Sequence, residues 1–160
     1  MKKIHLYILI YLLFETSAWS QNISLEIDGD NMYYSEGGCG DCFSTPDPII
    51  YTRLTINAAN YDWNYDYEDI GACGWQGNTN FSLYGPNTVA YNTVATMQLD
   101  GLEEDSGFCG GNDNVCGGYS TVNTVTPTAS PPCQWNYYTG QRNCGGGDYR
   151  VEWSAYWRYL

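Results

Sequence analysis

Residues 148–160 read Asp-Tyr-Arg-Val-Glu-Trp-Ser-Ala-Tyr-Trp-Arg-Tyr-Leu, and this stretch decides the fold class. Apolar or aromatic residues occupy every second position, namely Val151, Trp153, Ala155, Trp157 and Tyr159. The positions between them carry mainly polar or charged residues. A period of two is typical of a β-strand with one buried face, because successive side chains point to opposite sides. The segment is therefore predicted to be a strand.

Further stretches along the chain carry the same period or are rich in β-prone residues. They predict strands at 23–27, 50–57, 61–67, 80–84, 88–99 and 120–126. Gly, Pro, Asn and Asp separate them, and Asp28-Gly29-Asp30-Asn31 predicts a turn directly after the first strand. Short strands with frequent turn residues indicate an all-β fold, a single antiparallel β-sandwich with a barrel as the alternative.

The start of the chain has the pattern of a secretory signal. A basic head at 1–3 precedes an apolar run at 4–14, and Ala-Trp-Ser at 18–20 forms the exit site. The apolar run is close to the ~7–15 residues of a signal core and shorter than the ~20 that span a bilayer. We expect a cleaved signal peptide over 1–20 and a secreted, extracellular domain over 21–160, with no membrane insertion.

Removal of that signal changes the chemistry available to the protein. The sequence contains Lys2 and Lys3 as its only lysines and His5 as its only histidine, so the remaining domain has neither type. This excludes a Ser-His-Asp site, a His-bound zinc and a lysine Schiff base, and we expect no enzyme activity. The formal charge of the whole chain, −12, repels polyanions and excludes nucleic acid as a partner.

Seven cysteines lie in the predicted secreted domain. They are candidates for disulfides, which small exported domains use to supplement a limited core: Cys39, Cys42, Cys73, Cys109, Cys116, Cys133 and Cys144. The odd number leaves one thiol over, and the connectivity stays open. The Cys39-x-x-Cys42 spacing also fits a metal thiolate or redox site, although no second such pair is present.

Dense carboxylates suggest calcium as a possible cofactor, because hard cations prefer oxygen ligands. The candidate ligands are Asp28, Asp30, Asp66, Asp69, Glu104, Asp105 and Asp113. Asp62, Asn64 and Asp66 match the first positions of a calcium loop, but the residues that follow do not. The alternative is a solvated acidic surface, with these three residues on the polar side of a strand.

Aromatic residues are abundant, at 16% of the chain. A two-layer sheet buries only half the positions of its strands, so some rings are expected at the surface, where they could stack on a ligand. The candidates are Tyr33, Tyr34, Trp135, Tyr137 and Tyr138. The alternative is that Tyr is simply a good strand residue.

Several segments resemble acidic, Cys-rich, C2-like β-sandwich modules of secreted bacterial surface and adhesion proteins. The resemblance rests on Cys-Gly-Asp-Cys-Phe at 39–43, Pro-Asp-Pro at 46–48, the strand at 51–56, 102–116 and 149–153. It implies a C2-like sandwich, with a jelly-roll-like one as the alternative. It also implies a non-catalytic binding or adhesion role that often depends on cations.

We therefore expect a secreted, non-catalytic adhesion or binding module that is glycan-directed and stabilised by calcium. Its partner would be a glycan or a protein surface ligand. The alternative is a structural subunit that binds copies of itself in an extracellular filament or matrix. An odd cysteine and a predicted strand at each end of the domain, whose edges could accept a neighbour, favour this second reading.

Overall fold

The computed structural model describes residues 21–36, 47–66, 76–103, 116–144 and 147–160. These form eight strands: β1 (Asn22–Glu36), β2 (Pro48–Ile56), β3 (Ala59–Asp66), β4 (Gln76–Ala90), β5 (Ala95–Glu103), β6 (Ser120–Val125), β7 (Trp135–Cys144) and β8 (Gly147–Tyr159). A single 3₁₀ turn covers Pro127–Ala129. Within the described ranges, no helix is long and apolar enough to cross a membrane.

The strands build two antiparallel sheets of four strands each. Sheet A has the order β4-β1-β8-β7, and sheet B has the order β3-β2-β5-β6. The strand predicted at the chain's end is confirmed as β8. It is an inner strand of sheet A and pairs with β1 from Ile23↔Tyr159 to Glu36↔Gly147. The period of two places its large residues on the buried side.

Each sheet turns one face onto a shared hydrophobic core. Sheet A contributes fully buried rings, among them Trp153 and Tyr149, and sheet B contributes Ile50, Leu54 and Met97. Burying a large apolar side chain stabilises the fold by roughly 1.5–3 kcal/mol, so this core is the main source of stability. The all-β prediction is confirmed, and the arrangement is β-sandwich-like.

The turn predicted at 28–31 does not form. Strand β1 continues through these residues, because β4 and β8 pair with it on both sides. Asp30 is the extra residue of a β-bulge, since Gly29 pairs with Trp153 and Asn31 pairs with Glu152. Gly, Asp and Asn favour bulges as well as turns, which is why the composition alone misleads here.

Two further strand boundaries differ from the predictions. The strand predicted over 88–99 is interrupted by a turn at 91–92, where Asn92 has a φ of 69°. In addition, β7 was not predicted as a strand. Three residues on its inward side, Asn136, Gly140 and Arg142, are not large apolar residues, so the sequence shows no clear alternation of apolar and polar positions. Gly140 is required there, because a Cβ at this position would collide with Val122 on β6.

One disulfide, Cys116–Cys144, is present among the described residues. It links the segment before β6 in sheet B to the end of β7 in sheet A. Cys133 is an exposed free cysteine in the segment before β7. The other candidates, Cys39, Cys42, Cys73 and Cys109, lie outside the described residues.

Candidate ligand-binding face

The solvent side of sheet A, here called the outer face, carries most of the polar and aromatic groups that a ligand could contact. Strands β1, β8 and β7 pair in register, so their outward residues form neighbouring rows. These residues are Asp28, Asp30, Asn31 and Tyr33 on β1, Arg150, Glu152, Ser154 and Tyr156 on β8, and Trp135, Tyr137 and Thr139 on β7.

An open cavity of about 440 Å³ lies on this face where β1, β8 and β7 meet. Its lining consists of Asp30, Asn31, Tyr137, Tyr138, Thr139 and Glu152. The volume is within the ~300–1,000 Å³ usual for small-molecule sites. The cavity therefore combines carboxylate, amide and hydroxyl groups with the aromatic residue Tyr137.

Glu152 is held in position by three neighbours. Its Oε2 accepts hydrogen bonds from Asn31 Nδ2 at 3.1 Å and from the Tyr33 hydroxyl at 3.2 Å. Its Oε1 lies 3.3 Å from Arg150 Nη2, and the Arg150 guanidinium sits 4.0 Å above the Tyr33 ring. These contacts fix the carboxylate at the cavity wall, and Asn31 and Glu152 both line the cavity.

Asp30 projects from the bulge beside Glu152. The Ser154 hydroxyl donates a hydrogen bond to Asp30 Oδ1 at 3.3 Å. Partial burial raises the pKa of the Asp30 carboxyl, the Ser154 hydrogen bond opposes this, and the neighbouring charges of Asp28 and Glu152 raise the pKa further. Partial burial and the two neighbouring acids thus both disfavour the ionised form of Asp30.

Three aromatic residues of β7 lie in or near this cavity: Tyr137 and Tyr138 in its lining, and Trp135 two residues before Tyr137. Tyr137 is 75% exposed, the largest exposure among the big hydrophobic side chains of the described residues. Trp135 is 39% exposed and packs against Tyr156, with ring centroids 5.5 Å apart. Tyr138 instead stacks on the buried Trp153 at 4.5 Å, which anchors this part of β7. The exposed rings of Tyr137 and Trp135 provide flat apolar surfaces next to fixed polar groups.

A second cavity of about 330 Å³ lies on the β4 side of the bulge. It is lined by Asp28, Gly29, Asp30, Asn80, Phe81 and Ser82. Asp30 therefore borders both cavities. Gly29 is needed at this point, because a Cβ there would collide with the Phe81 ring. The bulge and the glycine together shape this side of the face.

The structure separates the predicted ligand-binding aromatics. Tyr33, Trp135 and Tyr137 belong to the outer face, and Tyr138 lines the first cavity. Tyr34 is 1% exposed and packs against Tyr149 in the core. The expectation that Tyr34 lies at the surface is thus wrong. Its place in β1, between the less buried Tyr33 and Ser35, directs its side chain inward.

The predicted calcium ligands are also separated. Asp28 and Asp30 lie on the outer face of sheet A, whereas Asp66 ends β3 in sheet B. Asp69, Glu104, Asp105 and Asp113 lie outside the described residues. Within the part of the chain that is described, no group of three or more Asp, Glu, Cys or His residues is placed to hold a metal ion. Calcium remains a prediction.

Several residues of the outer face were not among the binding candidates predicted from the sequence: Asn31, Thr139, Glu152, Ser154 and Tyr156. Two sequence patterns could have indicated some of them: the polar residues that alternate with apolar ones in β8, and the Tyr and Thr residues at alternate positions of β7. Only the pairing of these strands with the bulged β1 brings them together, and that pairing is a long-range property.

The chain matches no protein-family model and shows no significant similarity to a curated protein.

Proposed function

We propose that this protein is a secreted, non-catalytic module that binds glycans through the outer face of sheet A. The observation that carries the proposal is the cavity of about 440 Å³ in which the exposed Tyr137 ring lies beside Asp30 and Glu152. A sugar presents an apolar C–H side and a rim of hydroxyls. An aromatic face and fixed hydrogen-bond acceptors complement these two features.

The arrangement of the polar groups supports a binding role. Asn31, Tyr33 and Arg150 hold Glu152 before any ligand arrives, which reduces the ordering that binding requires. Tyr137 lines the cavity and is 75% exposed, and Trp135, two residues before it on the same side of β7, is 39% exposed, so both rings are accessible to a ligand from solvent. The site is thus preorganised on strands of the scaffold.

Other features support the remaining parts of the proposal. The Cys116–Cys144 disulfide suits an oxidising compartment, as expected after a signal peptide. Two four-stranded antiparallel sheets are compatible with the C2-like sandwich that the sequence resemblance implies.

We include calcium as a stabilising cation. A rise in melting temperature on adding calcium, reversed by a chelator, is the expected result, and an unchanged melting temperature removes this part.

A glycan array tests the central part of the proposal. The secreted domain, residues 21–160, is applied alongside a Trp135→Ala Tyr137→Ala variant and a Tyr51→Ala variant, the latter changed on the outward side of sheet B. We expect the wild type to bind a defined set of glycans and the double variant to bind them at least about tenfold more weakly, because central aromatic anchors commonly contribute 2 kcal/mol or more. Tyr51→Ala should bind like the wild type. An array that stays blank for the wild type contradicts the proposal.

A second candidate function is self-assembly into an extracellular filament or matrix. The observation that favours it is the exposed thiol of Cys133, close in sequence to the edge strand β7. Non-reducing gels and negative-stain electron microscopy separate the two functions. Polymers or disulfide-linked dimers that disappear in Cys133→Ala would support assembly. A monomer with and without reductant would remove it.

A further inference from the structure

The two cavities of the outer face share a wall. Asp30 lines both, and its position on the bulge places it between the β4 side and the β7 side of sheet A. The cavities have volumes of about 330 and 440 Å³, each of the size of a small-ligand site. Because Asp30 lines both, the two cavities lie next to each other on the outer face, and together they are here called the depression.

The charge of this depression is negative. Asp28 and Asp30 line the smaller cavity, and Asp30 and Glu152 line the larger one. Arg150 pairs with Glu152, and the other two ion pairs among the described residues, Arg53–Asp62 and Arg142–Asp100, do not involve Asp28 or Asp30. The remaining arginine of the face, Arg158, lies further along β8, opposite Ser24. Two carboxylates thus lack a neutralising partner within the described residues.

A ligand with positive charge complements both the carboxylates and the rings. An ammonium group near Asp28 and Asp30 gains Coulomb energy, and it is also attracted to the faces of Tyr and Trp rings. The formal charge of −12 on the whole chain raises the local concentration of cationic ligands and repels uronic-acid or sulfated sugars. Among glycans, those with free amino groups fit this surface.

We infer that the two cavities form one groove for a linear oligosaccharide with protonated amino groups, and that Asp30 contacts neighbouring units of the chain. This inference rests on the proposed glycan-binding function and specifies its ligand. The larger cavity holds one unit against Tyr137. The smaller cavity holds an adjoining unit beside Asp28 and Ser82.

Isothermal titration calorimetry with β-1,4-linked glucosamine oligomers, from the monosaccharide to the hexasaccharide, tests this inference. The matched N-acetylglucosamine oligomers have the same linkage but lack the charge. We expect the affinity for glucosamine oligomers to rise about tenfold between monosaccharide and trisaccharide and then to level off. At equal length, the acetylated series should bind about five- to tenfold more weakly, since exposed ionic contacts are modest.

Two pairs of variants locate the contacts. Asp30→Asn removes a charge shared by both cavities, and Asp148→Asn removes one from the same side of β8 outside them. Ser82→Tyr fills the smaller cavity, and Thr88→Tyr adds the same bulk to β4 outside it. Asp30→Asn should reduce the advantage of the charged series, and Ser82→Tyr should remove the gain in affinity with chain length. The two control variants should bind like the wild type, and thermal unfolding checks that all four are folded.

The outcomes are distinct. Equal affinity for both series, or stronger binding of the acetylated one, overturns the amino-sugar assignment. Affinity independent of chain length, or a Ser82→Tyr variant with an intact length effect, overturns the groove. If other glycans bind on the array and neither series binds by calorimetry, this inference fails and the proposed function stands. If no glycan binds in either experiment, the proposed function itself fails.

Discussion

The outer faces of the two sheets differ in how their polar groups are satisfied. On sheet B, Arg53 Nε and Nη2 donate to the two carboxylate oxygens of Asp62 at 2.7 and 2.8 Å, and the guanidinium lies 3.9 Å above the Tyr119 ring. The Thr55 hydroxyl lies 2.8 Å from Asn60 Oδ1 on the neighbouring strand. The polar groups of this face thus bind one another through ion pairs and hydrogen bonds, as is usual on a solvated protein surface.

On sheet A the polar groups surround cavities instead. Glu152 is oriented by neighbours, whereas Asp30 lines both cavities and Asp28 lines the smaller one, and neither of these two carboxylates has a paired arginine among the described residues. Acidic residues are thus present on both faces, but only on sheet A do they line the two cavities described above. The bulge at Asp30 and the exposed rings of β7 distinguish sheet A from sheet B.

The largest expected effect concerns the bond that joins the two sheets. Cys116 and Cys144 are separated by 28 residues, and a cross-link over a loop of this size stabilises a fold by about 3–4 kcal/mol. A Cys116→Ala Cys144→Ala variant should lose about this free energy of unfolding in urea titrations. Cys133→Ala is the matched control, because its thiol is free and exposed, and it should unfold like the wild type.

A loss below about 1 kcal/mol in the double variant would mean that the sheets are held together by the core alone. The glycan affinity of the variant should be unchanged while it is folded, because neither cysteine lines a cavity of the outer face. Loss of glycan binding without loss of stability would indicate that the glycan binds near the disulfide and not on the outer face of sheet A.

Two tryptophans of equal exposure offer a sharper comparison. Trp63 on sheet B is 38% exposed and stacks on Phe81 of sheet A at 4.9 Å, whereas Trp135 is 39% exposed and contacts Tyr156 within sheet A. Trp63→Ala should lower the free energy of unfolding by about 1–3 kcal/mol, because it removes a stack that closes the side between the sheets. Trp135→Ala should lower it by less than about 1 kcal/mol and weaken glycan binding instead. The reverse assignment would contradict the comparison.

The smallest expected effect is a difference in pH dependence between two aspartates. The hydrogen bonds from Arg53 lower the pKa of Asp62, and they outweigh the opposing effect of burial. For Asp30, in contrast, burial is the main effect and raises the pKa. Asp62→Asn should therefore destabilise the protein at neutral pH, and this penalty should disappear as pH falls below the usual carboxyl pKa of 3.8 through the lowered one.

Asp30→Asn should act in the opposite direction. Because the pKa of Asp30 is raised in the folded protein, ionisation of this carboxyl lowers the free energy of unfolding. This loss is absent below pH 3.8 and grows as the pH rises from 3.8 to the raised pKa. The asparagine keeps an acceptor for Ser154, so the variant should be slightly more stable than the wild type at neutral pH and equal to it in acid. Urea titrations across pH measure both effects. Changes of the same sign in the two variants would show that the faces do not differ electrostatically.

The sequence predicted the strands whose periodicity is strong and local. Strands β2 and β8 were recognised because their apolar residues alternate with polar ones. In β2 the less buried side is the one with Tyr51, Arg53 and Thr55. Strand β7 was missed, because an edge strand has fewer apolar positions and its packing against Val122 requires Gly140. Edge strands depend on neighbours that a local pattern does not contain.

The candidate binding face was predicted only in part. Exposed aromatics were anticipated, and Trp135 and Tyr137 are exposed, but Tyr34 belongs to the core. The cavities depend on which strands pair and where β1 bulges. Gly29 and Asp30 were interpreted as part of a turn, so the sequence did not predict that the residues before and after them belong to one strand, β1. Long-range register, rather than residue type, decides its geometry.

Amide chemical shifts measured during titration test the central claim most directly. The ¹⁵N-labelled domain is titrated with the glycan that binds best on the array, and shift changes are followed residue by residue. We predict the largest changes at Tyr137, Thr139 and Glu152 on the outer face of sheet A, with none on the outward side of sheet B at Tyr51 and Thr55. Saturable changes on sheet B with none on sheet A would contradict the account.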